Sequence, residues 1–226
     1  MLKHILVASL CLFPALGSAA GAALTDMETR WLKAAGPVLA YSQRIKLPID
    51  IIVQPVARAS DVPMAMGFKD GRCKLVLSMR GNPDAEKVLD KVPDAERGVL
   101  MEAMAAHEVA HCWRYAQGAW HELPSAFEDQ GVEATPVTPD QVLQNRREEG
   151  FADLVALAWT RRHHPEHYQR VFAWLETLRS ERTAPGGTHD TRAWVRLARD
   201  GSVFQDAATP FEEASRTWTA GLRSDR

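Results

Sequence analysis

The chain has 226 residues, enough to fill one well-packed domain without help from a metal or a disulfide framework. Its formal net charge is -2, with acidic and basic residues scattered rather than gathered into runs, which argues against a nucleic-acid or anionic-membrane partner. An apolar fraction of 46% without repeats or low-complexity tracts predicts a folded body.

The first stretch departs from that average. Lys3 and His4 precede an almost wholly apolar run from Ile5 to Leu16, and small residues follow from Gly17 to Ala23. This is the pattern of a secretory signal peptide over residues 1–22, and the apolar run falls short of the ~20 residues that span a bilayer. The expectation is an exported chain, periplasmic or secreted, whose mature part is a single domain over residues 23–226. Removal of the signal would leave Cys73 and Cys112 as the only cysteines. In an oxidising compartment they can pair, and two separate buried thiols are the alternative.

Thr25 with Glu28 forms a capping box, and Met27, Trp31, Leu32, Ala35, Val38 and Leu39 recur at helical period, predicting a helix to about Arg44. Ile49 to Val53 is rich in β-branched residues, Met64 to Phe68 is short and apolar, and Asp70-Gly71 is a hairpin turn leading into Lys74 to Met79. Three strands are expected, the last two a hairpin. A long helix follows from about Asp94 to Gln117, with Gly118 as its cap. Residues 118–137 read as a loop of unusual length. Thr138, Pro139 and Gln141 open a helix reaching about His163, and Pro165 opens another to about Glu181. After the break at Ala184 to Thr188, a short helix around Asp190 to Arg199 and one beginning at Thr209 complete the chain. The predicted class is α+β: a small antiparallel sheet packed on the long helix, with several further helices.

The chemistry sits in that helix. In His107-Glu108-Val109-Ala110-His111 the four-residue spacing puts both imidazoles on one face, one turn apart, where they can share one zinc ion. Glu108 flanks the same pocket and can take a proton from zinc-bound water without being a ligand. A third ligand is needed. The metzincin pattern would put glycine at 114 and histidine at 117, but Arg114 and Gln117 stand there. A later helix offers Glu149 and Asp153 on one face, with Ala152, Ala156 and Gly150 small enough to allow a close approach to the His107 helix. Glu149 is then the third ligand, and Asp153 accepts from the second nitrogen of a ligand histidine. Glu148 competes with Glu149 but lacks an acidic companion at i+4. His163, His164 and His167 read as a polar helix end rather than a second metal site.

With these motifs, over about residues 60–200, the chain resembles the gluzincin peptidases, the thermolysin-like group, and in particular soluble relatives of the CAAX-prenyl-protease type. The resemblance rests on the hairpin of Met64 to Met79, on His107-Glu108-x-x-His111, on Glu149-x-x-Ala152-Asp153, and on Thr188-His189 followed by Arg192. It implies one zinc per chain and a polypeptide substrate bound in extended form along the Lys74 to Met79 strand. It also implies that His189 helps to stabilise the tetrahedral intermediate. By the same resemblance that strand packs on the zinc-bearing helix, which favours a Cys73–Cys112 disulfide. The family's usual His-Pro is His189-Asp190 here, and no membrane span follows the signal, so a prenylated membrane substrate is not expected. The expected function is zinc-dependent peptide hydrolysis. Two other readings keep the zinc: an amidase acting on a cell-wall or other non-peptide amide, and a non-catalytic zinc-binding or chaperone-like envelope protein.

Overall fold

The computed structural model describes residues 23–58, 61–119, 138–181, 183–204 and 207–223. The expected signal peptide and nearly all of the expected long loop lie outside the described residues. Six α-helices and three strands occur among those described: α1 (Asp26–Arg44), β1 (Ile49–Val53), β2 (Met64–Lys69), β3 (Arg72–Leu77), α2 (Asp94–Ala116), α3 (Pro139–His163), α4 (Tyr168–Glu181), α5 (Arg192–Val195) and α6 (Pro210–Gly221). The class is α+β, as the sequence predicts. No helix among the described residues is long and apolar enough to cross a membrane.

Local chemistry explains the boundaries. Thr25, Thr138 and Thr209 each cap a helix through a full capping box, with Glu28, Gln141 and Glu212 as the reciprocating residues. Asp70 and Gly71 both have positive φ, the backbone that a two-residue hairpin turn needs. Gly118 has φ +70 just past the end of α2. The short helix expected around Asp190 to Arg199 is a single turn, α5, continued by a 3-10 turn over Arg196–Ala198.

The sheet is mixed rather than antiparallel, in the order β1-β3-β2. β2 pairs antiparallel with β3, Met66 facing Leu75, whereas β1 pairs parallel with β3, Ile51 facing Leu75. The chain reverses direction between β1 and β2 but leaves a gap one strand wide. β3 returns through the Asp70-Gly71 turn and fills that gap, and a strand lying between two opposed neighbours must run parallel to one of them.

Met64, Met66 and Phe68 of β2 and Cys73, Leu75 and Leu77 of β3 are buried on one face of the sheet. That face covers α2. The α2 and α3 helices form the centre of the molecule; small residues, Ala103, Ala106 and Ala110 on one and Ala152 and Ala156 on the other, are buried there. Cys73 and Cys112 are joined by a disulfide, with Cα atoms 5.7 Å apart, tying the central strand to the helix one residue beyond His111.

Candidate metal centre

The α2 helix presents His107 and His111 toward α3, their Nε2 atoms 3.2 Å apart. Glu149 meets both: its Oε2 lies 3.3 Å from His107 Nε2 and its Oε1 3.5 Å from His111 Nε2. These three side chains are the one metal-capable group among the described residues, with ligand atoms all within 4.8 Å of one another. Two ligand atoms at ~2.0–2.1 Å from a tetrahedral ion stand about 3.3 Å apart, a spacing that the two imidazole nitrogens meet, while the Glu149 carboxylate approaches each nitrogen through a different oxygen. Glu149 Oε2 is buried and makes no well-aligned hydrogen bond to the protein, although nitrogen donors surround it at 3.3 to 3.6 Å. Two imidazoles and a carboxylate are a donor set for a divalent transition-metal ion.

Glu148 turns the other way. Its carboxylate binds the Arg114 guanidinium at 2.5 and 2.9 Å, clamping α3 to α2 beside the site.

Asp153, buried one turn beyond Glu149, accepts from His107 Nδ1 at 2.9 Å, which leaves Nε2 facing Glu149 and His111. It has two further partners. Arg179 of α4 donates from Nε and Nη2 at 2.8 and 2.7 Å, and Thr191 Oγ1 donates at 2.5 Å. Arg179 Nη2 also lies 3.6 Å from Glu149. Burial opposes the charge on Asp153, yet Arg179 and His107 hold its carboxyl well below the ordinary value. Burial likewise opposes the charge on Glu149, and His189 and His107 hold it low. Burial pushes the His107 imidazole down, but Glu149 and Asp153 more than reverse this and raise it to about 10 in the metal-free site.

Glu108 lies on the sheet side of the cluster and accepts from the backbone N–H of Met66. Burial pushes its carboxyl above the ordinary value, while His107 and His111 draw it back. A carboxylate so balanced is suited to take up a proton. His189 stands on the solvent side of Glu149: its side chain is 55% exposed and its Nε2 is 3.5 Å from Glu149 Oε2.

Two sequence expectations are corrected here. The Lys74 to Met79 strand cannot take an extended ligand by backbone pairing, because β3 is the central strand and is paired on both sides. The edge beside the cluster is β2. In the register with β3, Ser78 N–H bonds Pro63 O, so the alternate residues Met64, Met66 and Phe68 turn their backbone groups away from β3. Gly150, expected to ease the approach of α3 to α2, instead makes room for α5. A Cβ there would lie 2.5 Å from the Trp194 ring.

Arg179 and Thr191 belong to no motif in the sequence. Arg179 nevertheless carries a signal, since it continues the buried stripe Tyr168, Val171, Phe172 and Leu175 of α4 at helical spacing. An arginine on an apolar stripe demands a buried acidic partner. Nothing in the sequence marks Thr191.

No protein-family model, curated protein or solved structure matches the chain.

Proposed function

We propose that the chain is a single-zinc peptidase of the gluzincin kind, with His107, His111 and Glu149 as ligands, Glu108 as general base and an extended polypeptide as substrate. The observation that carries this reading is the convergence of two imidazoles and one carboxylate, their ligand atoms within 4.8 Å of one another, with a second carboxylate, Glu108, beside them. Zinc held there would act as a Lewis acid and lower the pKa of a coordinated water toward ~7. Glu108, held by the Met66 amide, accepts the proton of the attacking water and returns it to the leaving amine. His189 donates from Nε2 to the carbonyl oxygen as negative charge develops on it. The β2 edge turns backbone groups of Met64 and the Met66 carbonyl away from β3 for an extended polypeptide, next to the base that takes the Met66 N–H.

The test is a peptide-library digest by the zinc-loaded protein, with Glu108→Gln and His111→Ala as comparisons. Glu108→Gln is expected to keep one zinc per chain and lose hydrolysis by more than ~100-fold, while His111→Ala loses the metal. Equal zinc loss in both variants would overturn the assignment of roles. A zinc-loaded wild type that cleaves no peptide would overturn the peptidase reading itself.

A further inference from the structure

An imidazole that is more than half exposed is not held by packing, yet His189 stands with Nε2 3.5 Å from Glu149. Its position must come from the backbone that carries it. That backbone, residues 184–191, is a tight turn closed by Gly187 N–H to Ala184 O at 3.0 Å and Asp190 N–H to Gly187 O at 3.1 Å. Two further hydrogen bonds anchor it to the rest of the fold. Arg146 of α3 donates to Gly186 O at 2.7 Å, and Thr191 donates to Asp153. Thr188 Oγ1 lies 3.0 Å from His189 Nδ1, a contact that favours a single ring orientation.

One side chain joins these parts. Asp190 accepts from Gly186 N–H at 2.8 Å across the turn and from Arg192 Nε and Nη2 at 2.6 and 2.9 Å on the first turn of α5. Its side chain is only 14% exposed, and the Arg192 guanidinium holds its carboxyl down to about 2, so it remains an anion at any working pH. The α5 helix is itself fixed, because Trp194 is fully buried against Gly150 and Gly221. The line of support therefore runs from Trp194 through Arg192 and Asp190 to Gly186 and closes the turn around His189.

We propose that Asp190 is a positioning residue: it clips the 184–191 turn to α5 and so holds His189 over the metal centre. Its catalytic part rests on the peptidase reading above. The hydrogen-bond partners of Asp190 are Gly186 and Arg192 rather than the metal ligands; its effect through His189 is separated by the cycle below from one through Thr191 and Asp153, which would show in zinc content.

The experiment is a double-mutant cycle on the full-length, zinc-loaded protein with Asp190→Ala, His189→Ala and the double variant, using a peptide found in the library digest. Asp190→Ala is expected to lower kcat by about ten-fold or more, with KM and zinc content within about two-fold of wild type. In the His189→Ala background the same change should alter kcat less than about two-fold. Asp190→Asn, which keeps the acceptor for Gly186, should recover part of the loss and serves if the alanine variant folds poorly. Equal losses in both backgrounds, or loss of zinc, would overturn the proposal. Hydrogen exchange supplies a readout independent of turnover: the Gly186 amide should exchange at least ten-fold faster in Asp190→Ala than in wild type. If wild type cleaves no peptide, the peptidase reading falls and the exchange comparison alone decides the clip, unchanged protection of Gly186 overturning it.

Discussion

Arg179→Met is the most informative single change to the support of the metal centre. Methionine keeps most of the aliphatic stem that packs in the buried stripe of α4 but removes two hydrogen bonds, at 2.8 and 2.7 Å, from a carboxylate whose side chain is 1% exposed. Removing one partner of a buried ion pair typically costs ~3–5 kcal/mol, because the other charge stays behind without its counter-ion. His107 and Thr191 still contact Asp153, which places the expectation near the lower end, at about 3 kcal/mol. For a domain of this size that corresponds to a fall in Tm of roughly 6–12 °C. The assay is urea denaturation of the metal-free chain at pH 7. Adding Asp153→Asn to Arg179→Met should recover at least half of the loss, since an amide needs no counter-charge. The pH dependence has a definite sign. Asp153 is depressed in the folded state, so its contribution is fully present above the ordinary carboxylate value of ~3.9 and is lost as the pH falls through the depressed value. The wild-type advantage should therefore be flat from pH 5 to 8 and should shrink only in strong acid. A loss below about 1 kcal/mol, or strict additivity of the two substitutions, would refute the idea that Arg179 compensates the buried acids.

Zinc binding should expel about one proton per ion near neutral pH, because a ligand imidazole must be neutral and His107 is raised to about 10 in the metal-free site. Its charged-form stability is fully present below ~6.5 and disappears as the pH rises through about 10, so zinc affinity should climb up to that point; calorimetry in buffers of different ionisation enthalpy would expose the absence of proton release. Glu149→Gln should weaken zinc by more than about ten-fold, whereas Glu148→Gln should leave zinc affinity within about two-fold and instead lower stability by ~3 kcal/mol through loss of the Arg114 pair. Metal titration beside denaturation separates the two, and the reverse ranking would reject the orientation of α3. Replacing Cys73 and Cys112 by serine removes a cross-link between residues 39 apart in sequence, an expected cost of about 4 kcal/mol in the chain-entropy treatment, measurable as a lower urea midpoint.

What the sequence reveals follows from the range of each interaction. Capping boxes, the Asp70-Gly71 turn and the i,i+4 pairs His107/His111 and Glu149/Asp153 are local, so their geometry is written in spacing alone. The parallel pairing of β1 with β3 is decided by which strand fills a gap, and no periodicity within β1 records it. The orientation of α3 was legible because only one of its two adjacent glutamates has an acid one turn on. The role of Gly150 was not, because its neighbour, Trp194, is distant in sequence and arrives from a different helix. Arg179 lies between these cases: its place on an apolar stripe signals a buried partner, but only the fold says which carboxylate that is.

The Trp194 indole fills the space of two side chains that are absent, one on α3 at the residue after Glu149 and one on α6 at Gly221. Its Nε1 donates to Trp218 O, and Trp218 Nε1 donates in turn to Arg147 O, two residues before Glu149. Every residue assigned to the chemistry lies between 107 and 189, yet the wall behind the third ligand is built by the last described helix. A chain shortened at residue 208 would keep the whole donor set and still lose that wall. The smallest unit able to keep the donor set in shape therefore extends to the far end of α6, and trimming of that end by a protease would disarm the site without touching any of the three candidate ligands.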